Sequence, residues 1–234
     1  MLVSHRQKFI FLKTKKTAGT ALEMALEPWA RPENEDADLS HVTKPVETEA
    51  GIVGARGSGS VRNKWYNHMT AALVKERLDP RIWDSYVKIA AIRNPWDKVV
   101  SFFHMQRPRV KALPTDVIVA KFRQWLDEAD KLGEDLDIYT IDGEPVVDEF
   151  IRYNRLSDDL ARVCARIGIP APELEVIKGN ARGGAKIPYQ TYYDDAARAI
   201  VAERFKRDIE IGGWDFENVE RADAGSPTPT RLGA

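Results

Sequence analysis

The spacing of apolar positions changes period several times along the chain, and each change marks an element. Lys8 to Thr14 (KFIFLKT) holds a short apolar run that predicts a buried strand. It leads into Lys15-Lys16-Thr17-Ala18-Gly19-Thr20, after which Ala21 to Leu26 reads as a helix stopped near Pro28. From Arg31 to Asn63 no clean period emerges, Gly57-Ser58-Gly59-Ser60 marks a flexible loop, and the length of the whole stretch predicts a mobile functional loop. Asn67 is placed to cap a helix running to about Leu78, with Asp79-Pro80 as its stop.

Tyr86 to Ile92 (YVKIAAI) is the second convincing strand, ending on Arg93-Asn94-Pro95. Proline suits the first position of the next helix, from Trp96 to about Gln106. Asp116 to Lys131 places Ile118, Phe122, Trp125, Leu126 and Ala129 on one helical face. Phe150 to Tyr153 reads as a short strand, and Ser157 opens a helix that Gly168 closes. A last long helix is predicted over roughly Tyr193 to Ile209. Strands alternating with helices predict an α/β fold around a mostly parallel sheet.

Composition narrows the class. With 43% hydrophobic and 30% charged residues in 234, the chain fits a globular protein with one sizeable core. The expectation is one domain over residues 1–220, with a disordered Pro/Ser/Gly-rich tail over 221–234. A net charge of -1 gives no global field toward nucleic acid or anionic membrane, so an anion site must be a local cluster. The single cysteine, Cys164, excludes an intramolecular disulfide and lies on the apolar stripe of its helix. The start is polar and Phe9 to Leu12 is too short for a signal peptide or membrane span, which predicts a cytoplasmic protein.

The first strand-to-helix turn carries the strongest chemical signal. Lys-Thr-Ala-Gly-Thr before a helix offers unpaired backbone N–H groups, two hydroxyls and an ammonium to an anion. Gly19 lets the backbone approach a phosphate closely. The turn resembles a Walker A loop in logic, but G-x-x-x-x-G-K-[ST] is absent, as is a clear magnesium-binding Asp at a strand end. The second signal is IAAIRNPWDKVVS, residues 89–101. Arg93 falls at the C-terminal end of a strand and Ser101 about two turns into the next helix, a fork and a hydroxyl suited to a second phosphate.

Together, "FLKTKKTAGTALE" and "VKIAAIRNPWDKVVSFF" resemble the two cofactor signatures of the sulfotransferase superfamily, with the carbohydrate sulfotransferase branch the nearest pattern. "NHMTAALVKERL", "DEFIRYNRLSDDLARVCARIGI" and "YQTYYDDAARAIVAERFKRDIEIGGWDF" resemble later segments of that branch, in order, so the likeness spans most of Lys8 to Phe216. Two departures stand out: Thr14-Lys15 where the family often has Ile-Pro, and Asn154 where it has an acid.

The resemblance implies a P-loop-like three-layer fold and a sulfotransferase using 3′-phosphoadenosine 5′-phosphosulfate without a metal, with a carbohydrate hydroxyl as acceptor. Lys16 takes the leaving-group side, with Lys15 as its competitor. Thr17, Ala18, Gly19, Thr20 and Ala21 form the 5′-phosphosulfate cradle. Arg93 and Ser101 bind the 3′-phosphate. His68 is the general base, in the first turn of its predicted helix, where the positive helix end keeps imidazole neutral; His41 is the fallback. The basic stretch Lys178 to Gly184, with Arg182, Gly179, Gly183 and Gly184, reads from its own residues either as a segment that closes over the nucleotide or as a solvated loop. Trp65 and Tyr66 stack on a sugar or pack in the core, and Arg56, Arg62 and Lys64 are candidates for an anionic acceptor. A nucleotide-dependent kinase and a non-catalytic module of the same fold stay open as rivals.

Overall fold

The structure, a computed structural model, describes residues 1–33, 42–57, 59–172 and 187–217. In chain order the strands and α-helices are β1 (Leu2–Ser4), β2 (Phe9–Leu12), α1 (Gly19–Leu26), β3 (Val46–Thr48), β4 (Gly51–Val53), α2 (Ala71–Arg77), α3 (Pro80–Ser85) and β5 (Val87–Ile92). There follow α4 (Pro95–Gln106), α5 (Thr115–Glu128), β6 (Thr140–Ile141), β7 (Glu144–Pro145), β8 (Glu149–Arg152), α6 (Leu156–Ile167), α7 (Asp195–Arg204) and α8 (Lys206–Gly212). The described chain forms two compact units: residues 1–92 with 135–172, and residues 93–134 with 187–217. The expected tail over 221–234 lies outside the described residues.

The first unit is α/β. Its six-stranded sheet runs β3-β4-β1-β2-β5-β8. The pairs β3/β4, β4/β1 and β1/β2 are antiparallel; β2/β5 and β5/β8 are parallel. The sheet is therefore mixed, which corrects the expectation of a mostly parallel one. The reason is local. Only residues 5–8 separate β1 from β2 and only 49–50 separate β3 from β4, and such short connections make hairpins, since a parallel return needs a long crossover. These three-residue strands carry too few positions to display a period, so the polar start and the irregular 31–63 stretch hid them.

One face of this sheet shows why the elements hold together. Phe9 and Phe11 of β2, Ile89 and Ala91 of β5, and Ile151 of β8 share it by period-2 alternation. Leu22 and Leu26 of α1 and Leu160, Val163, Cys164 and Ile167 of α6 complete the same core. Gly168 ends α6 in the left-handed conformation, φ 73°, as the sequence predicts.

The second unit is helical among its described residues. Asn94 caps α4 by accepting a hydrogen bond from the Trp96 N–H at 3.1 Å, with Pro95 as the first helical residue. Its core is aromatic: Phe122 meets Phe103, Tyr192 and Tyr193 edge-on at centroid distances of 5.4, 5.3 and 5.1 Å. The predicted last helix is two, α7 and α8, broken at the fully buried Phe205, whose backbone (φ -113°, ψ 22°) leaves the helical path.

Candidate functional site

The turn that follows β2 is built on unusual backbone. Lys16 and Ala18 both have φ 60°, a conformation L-residues rarely hold without support from their surroundings. Ala18 is the N-cap of α1, where no side chain caps the helix and no acid occupies the first turn. The first N–H groups of α1 therefore face no competing side-chain acceptor within their own helix end, the condition for an anion site there. Lys15 and Lys16 are half-buried and Thr17 is buried; Gly19, Thr20 and Ala21 form the first turn of α1.

Three contacts hold this backbone. The Lys15 N–H donates to Asp135 Oδ2 at 2.5 Å, and Asp135 is buried. The Thr14 hydroxyl donates to the Ala91 carbonyl on the parallel neighbour β5 at 2.5 Å. Its proton thus spent, Thr14 Oγ1 accepts from the Thr17 hydroxyl at 2.8 Å. The Thr17 side chain therefore secures the loop from within. A Cβ on Gly19 would stand 3.0 Å from Lys13 Cγ and 3.2 Å from the Thr14 carbonyl oxygen, so a side chain here would press helix and strand apart by a few tenths of an ångström.

Beneath the loop lies a buried charge network. Glu23 of α1 accepts from Lys13 Nζ at 2.6 Å, from the Met1 α-ammonium at 2.8 Å and from Arg56 Nε at 2.7 Å. Burial pushes the Glu23 carboxyl up, but the three cations outweigh it and hold it at about 2. Arg56 also pairs with Glu27, which in turn pairs with Arg31 at 2.7 Å. Arg56, a candidate acceptor contact from sequence, thus serves this network.

His68 joins the loop from another part of the unit. Its segment is stitched to the chain beyond β4: the Ala55 N–H donates to the Trp65 carbonyl at 3.0 Å and the Asn67 N–H to the Ala55 carbonyl at 2.9 Å. Trp65 is buried and donates its indole N–H to Glu47 at 3.0 Å, so it is a packing residue. The predicted helix begins later than expected: Thr70 caps α2 by accepting from Leu73 N–H, and His68 precedes it with φ 61°. The first-turn placement of His68 is therefore corrected, and the helix end does not explain its charge state. Burial does. It pushes the imidazole down, the bond to Lys13 pulls partly back, the Lys13 ammonium pushes down again, and the result is about 4.

The ring itself is oriented by the loop. His68 Nδ1 lies 2.9 Å from the Lys13 carbonyl oxygen. A carbonyl only accepts, so Nδ1 carries the proton and the neutral ring keeps its lone pair on Nε2.

The remaining candidates fall elsewhere. Arg93 and Ser101 belong to the second unit, both buried. Arg93 Nε is ion-paired with Asp97 Oδ2 at 2.5 Å, one helical turn on, and Ser101 sits on α4. Arg182 and His41 lie outside the described residues, as do Gly179, Gly183 and Gly184. Among the described residues no group of three His, Cys, Asp or Glu side chains is arranged to hold a metal ion, and no helix is long and apolar enough to cross a membrane. Sequence reasoning missed Glu23, Asp135 and Thr14. Glu23 alone gave a signal: an acid one turn into a helix, on its apolar side.

No protein-family model matches the chain, and no solved structure matches it. The chain is 28% identical over 109 residues to an uncharacterized protein of Archaeoglobus fulgidus, an alignment spanning 46% of this chain and 88% of that one.

Proposed function

We propose that the chain is a sulfotransferase that moves a sulfuryl group from 3′-phosphoadenosine 5′-phosphosulfate to an acceptor hydroxyl, with a carbohydrate as the acceptor class. The observation that carries the reading is the bond between His68 Nδ1 and the Lys13 carbonyl, which fixes a neutral imidazole with an accepting Nε2 on the same turn that offers an uncapped helix N-terminus. An anion cradle and a proton acceptor tied to one backbone segment are what transfer to a hydroxyl requires.

The residues of the turn suit the nucleotide. The backbone N–H groups from Thr17 to Ala21 and the close approach at Gly19 fit the 5′-phosphosulfate end. The bound cofactor supplies an activated sulfuryl group whose leaving oxygen gains charge. Lys16, or Lys15 beside it, neutralises that charge; His68 Nε2 takes the acceptor's proton. Thr14, Thr17 and Asp135 keep the turn from relaxing. Arg93 and Ser101 hold the 3′-phosphate, as the resemblance of "IRNPWDKVVS" implies.

The test is a thermal-shift titration with 3′,5′-adenosine bisphosphate, and separately ATP with magnesium, on wild type, Arg93→Ala and Lys16→Ala. Stabilisation by the bisphosphate, weakened in both variants, is expected and licenses an acceptor screen with labelled donor. Stabilisation only by ATP with magnesium would replace this reading with a kinase. No response to either would favour a binding module that has lost the nucleotide.

A further inference from the structure

The second unit contains a cavity of about 420 Å³ lined by none of the candidate site residues described above. Its floor is apolar. Phe103 and Val110 are buried, and Trp125 is 7% exposed, packed against Phe103 at 5.3 Å between ring centroids. The Trp125 indole N–H is already donated to Gln106 Oε1 at 3.2 Å, so what this residue offers the cavity is ring surface.

The rim differs in kind. Arg107, Arg109 and Lys121 line the cavity and are exposed, and none is ion-paired with an acid among the described residues. This contrasts with Arg162, Arg166 and Arg204, which are exposed or half-buried and each paired. The single acid on the rim, Glu128, accepts from Gln124 Nε2 at 3.1 Å, one turn back on α5. The cavity thus combines a ring-lined bottom with an excess of cations at its mouth.

We propose that this cavity is a second ligand site, which takes a small organic anion with an apolar body. The volume lies within the usual range for small-molecule sites, and such sites pair apolar walls with a few polar groups that fix orientation. Two guanidinium forks match a carboxylate, sulfate or phosphate head, and the ring floor takes an aliphatic chain or aromatic ring. A neutral or cationic ligand of the same size leaves the three cations uncompensated.

Calorimetric titration with octyl sulfate, octanoate and octyltrimethylammonium, all below their micelle concentrations, tests this on wild type and on the double variant Arg109→Glu, Lys121→Glu. Both substitutions sit on exposed side chains, and melting curves verify the fold. Octyl sulfate and octanoate should bind, at least tenfold more tightly to wild type than to the double variant, with affinity falling as salt rises. Octyltrimethylammonium should bind wild type at least tenfold more weakly than octyl sulfate. Equal binding of the cationic and anionic chains, indifference to the charge reversal, or no binding at millimolar ligand each overturns the proposal. So does displacement of octyl sulfate by 3′,5′-adenosine bisphosphate, which would make the cavity part of the nucleotide site; persistence of octyl sulfate binding in a protein that fails to bind the bisphosphate would leave the cavity standing without the sulfotransferase reading.

Discussion

His68 donates from Nδ1 to the carbonyl oxygen of Lys13 across 2.9 Å, so the candidate base and the candidate anion-binding turn are parts of one hydrogen-bonded structure. Moving the turn moves the imidazole, and the tautomer is fixed by an acceptor that has no proton to give.

Replacement of His68 by Asn separates this structural role from the chemical one. Asparagine tolerates the φ of 61° and can still donate to the Lys13 carbonyl, but it offers no base. Turnover with the sulfuryl donor should fall by about 10²–10⁴-fold, while the affinity for 3′,5′-adenosine bisphosphate, measured by calorimetry, stays within about threefold. A comparable loss of bisphosphate affinity would make His68 a structural residue.

The pH dependence follows from the same side chain. With the imidazole held at about 4 instead of the usual 6.5, His68 is neutral at pH 5.5, where an ordinary histidine is mostly charged. The acid limb of kcat/KM attributable to it should lie near pH 4. Stability moves with it. As pH falls from about 6.5 to about 4 the unfolded chain takes up the proton before the folded one, so the contribution is complete above that window and lost through it. At pH 5 the loss is about 2 kcal/mol relative to pH 7, read as the difference in urea unfolding between wild type and His68→Asn.

Glu23 should be the most costly single site beneath the loop. Glu23→Gln removes the one carboxylate shared by Lys13, Arg56 and the Met1 ammonium, leaving buried cations under-compensated. Breaking a buried pair in this way costs about 3–5 kcal/mol, to be measured by chemical denaturation at pH 7. Because the folded carboxyl sits at about 2 against an ordinary 4.5, its contribution is present above about pH 4.5 and lost as pH falls toward 2. The difference between wild type and variant should shrink over that interval.

Gly19→Ala tests the close approach of helix and strand. The new methyl group meets a lysine methylene at 3.0 Å, which can yield, and a backbone carbonyl at 3.2 Å, which can yield only if the turn moves. The expected cost is about 1–2 kcal/mol of stability, together with at least a tenfold loss in bisphosphate affinity. Unchanged affinity in a folded variant would show that the turn is not the phosphate cradle.

Much of this could be read from the sequence because it depends on local chemistry. The strand Phe9–Leu12, the helix after Gly19, the Asn94-Pro95 start of α4 and the Gly168 stop each follow from residues within a few positions. What stayed hidden depends on distant partners. β1, β3 and β4 are three residues each, and only pairing reveals them. Asp135 reaches Lys15 across 120 positions, and no pattern around Asp135 announces it. The residues around His68 predict a helix capped at Asn67, but Thr70 makes the capping bond and the helix starts at Ala71, after His68. Its neutral state followed from burial, a property that a linear sequence does not display.

The β1–β2 hairpin also sets an order of assembly. Leu2 pairs with Phe11 and Ser4 with Phe9 across a connection of only four residues, so this pairing closes a short loop at small entropic cost. The parallel partner β5 begins at Val87, and bringing it to β2 means closing a loop of more than seventy residues. In a folding experiment, substitutions in the hairpin should slow refolding, whereas those at the β2–β5 seam should chiefly speed unfolding. The strand that leads into the Lys15–Gly19 turn is then registered early by its antiparallel neighbour, and the turn acquires its Ala91 anchor only when the late strand docks.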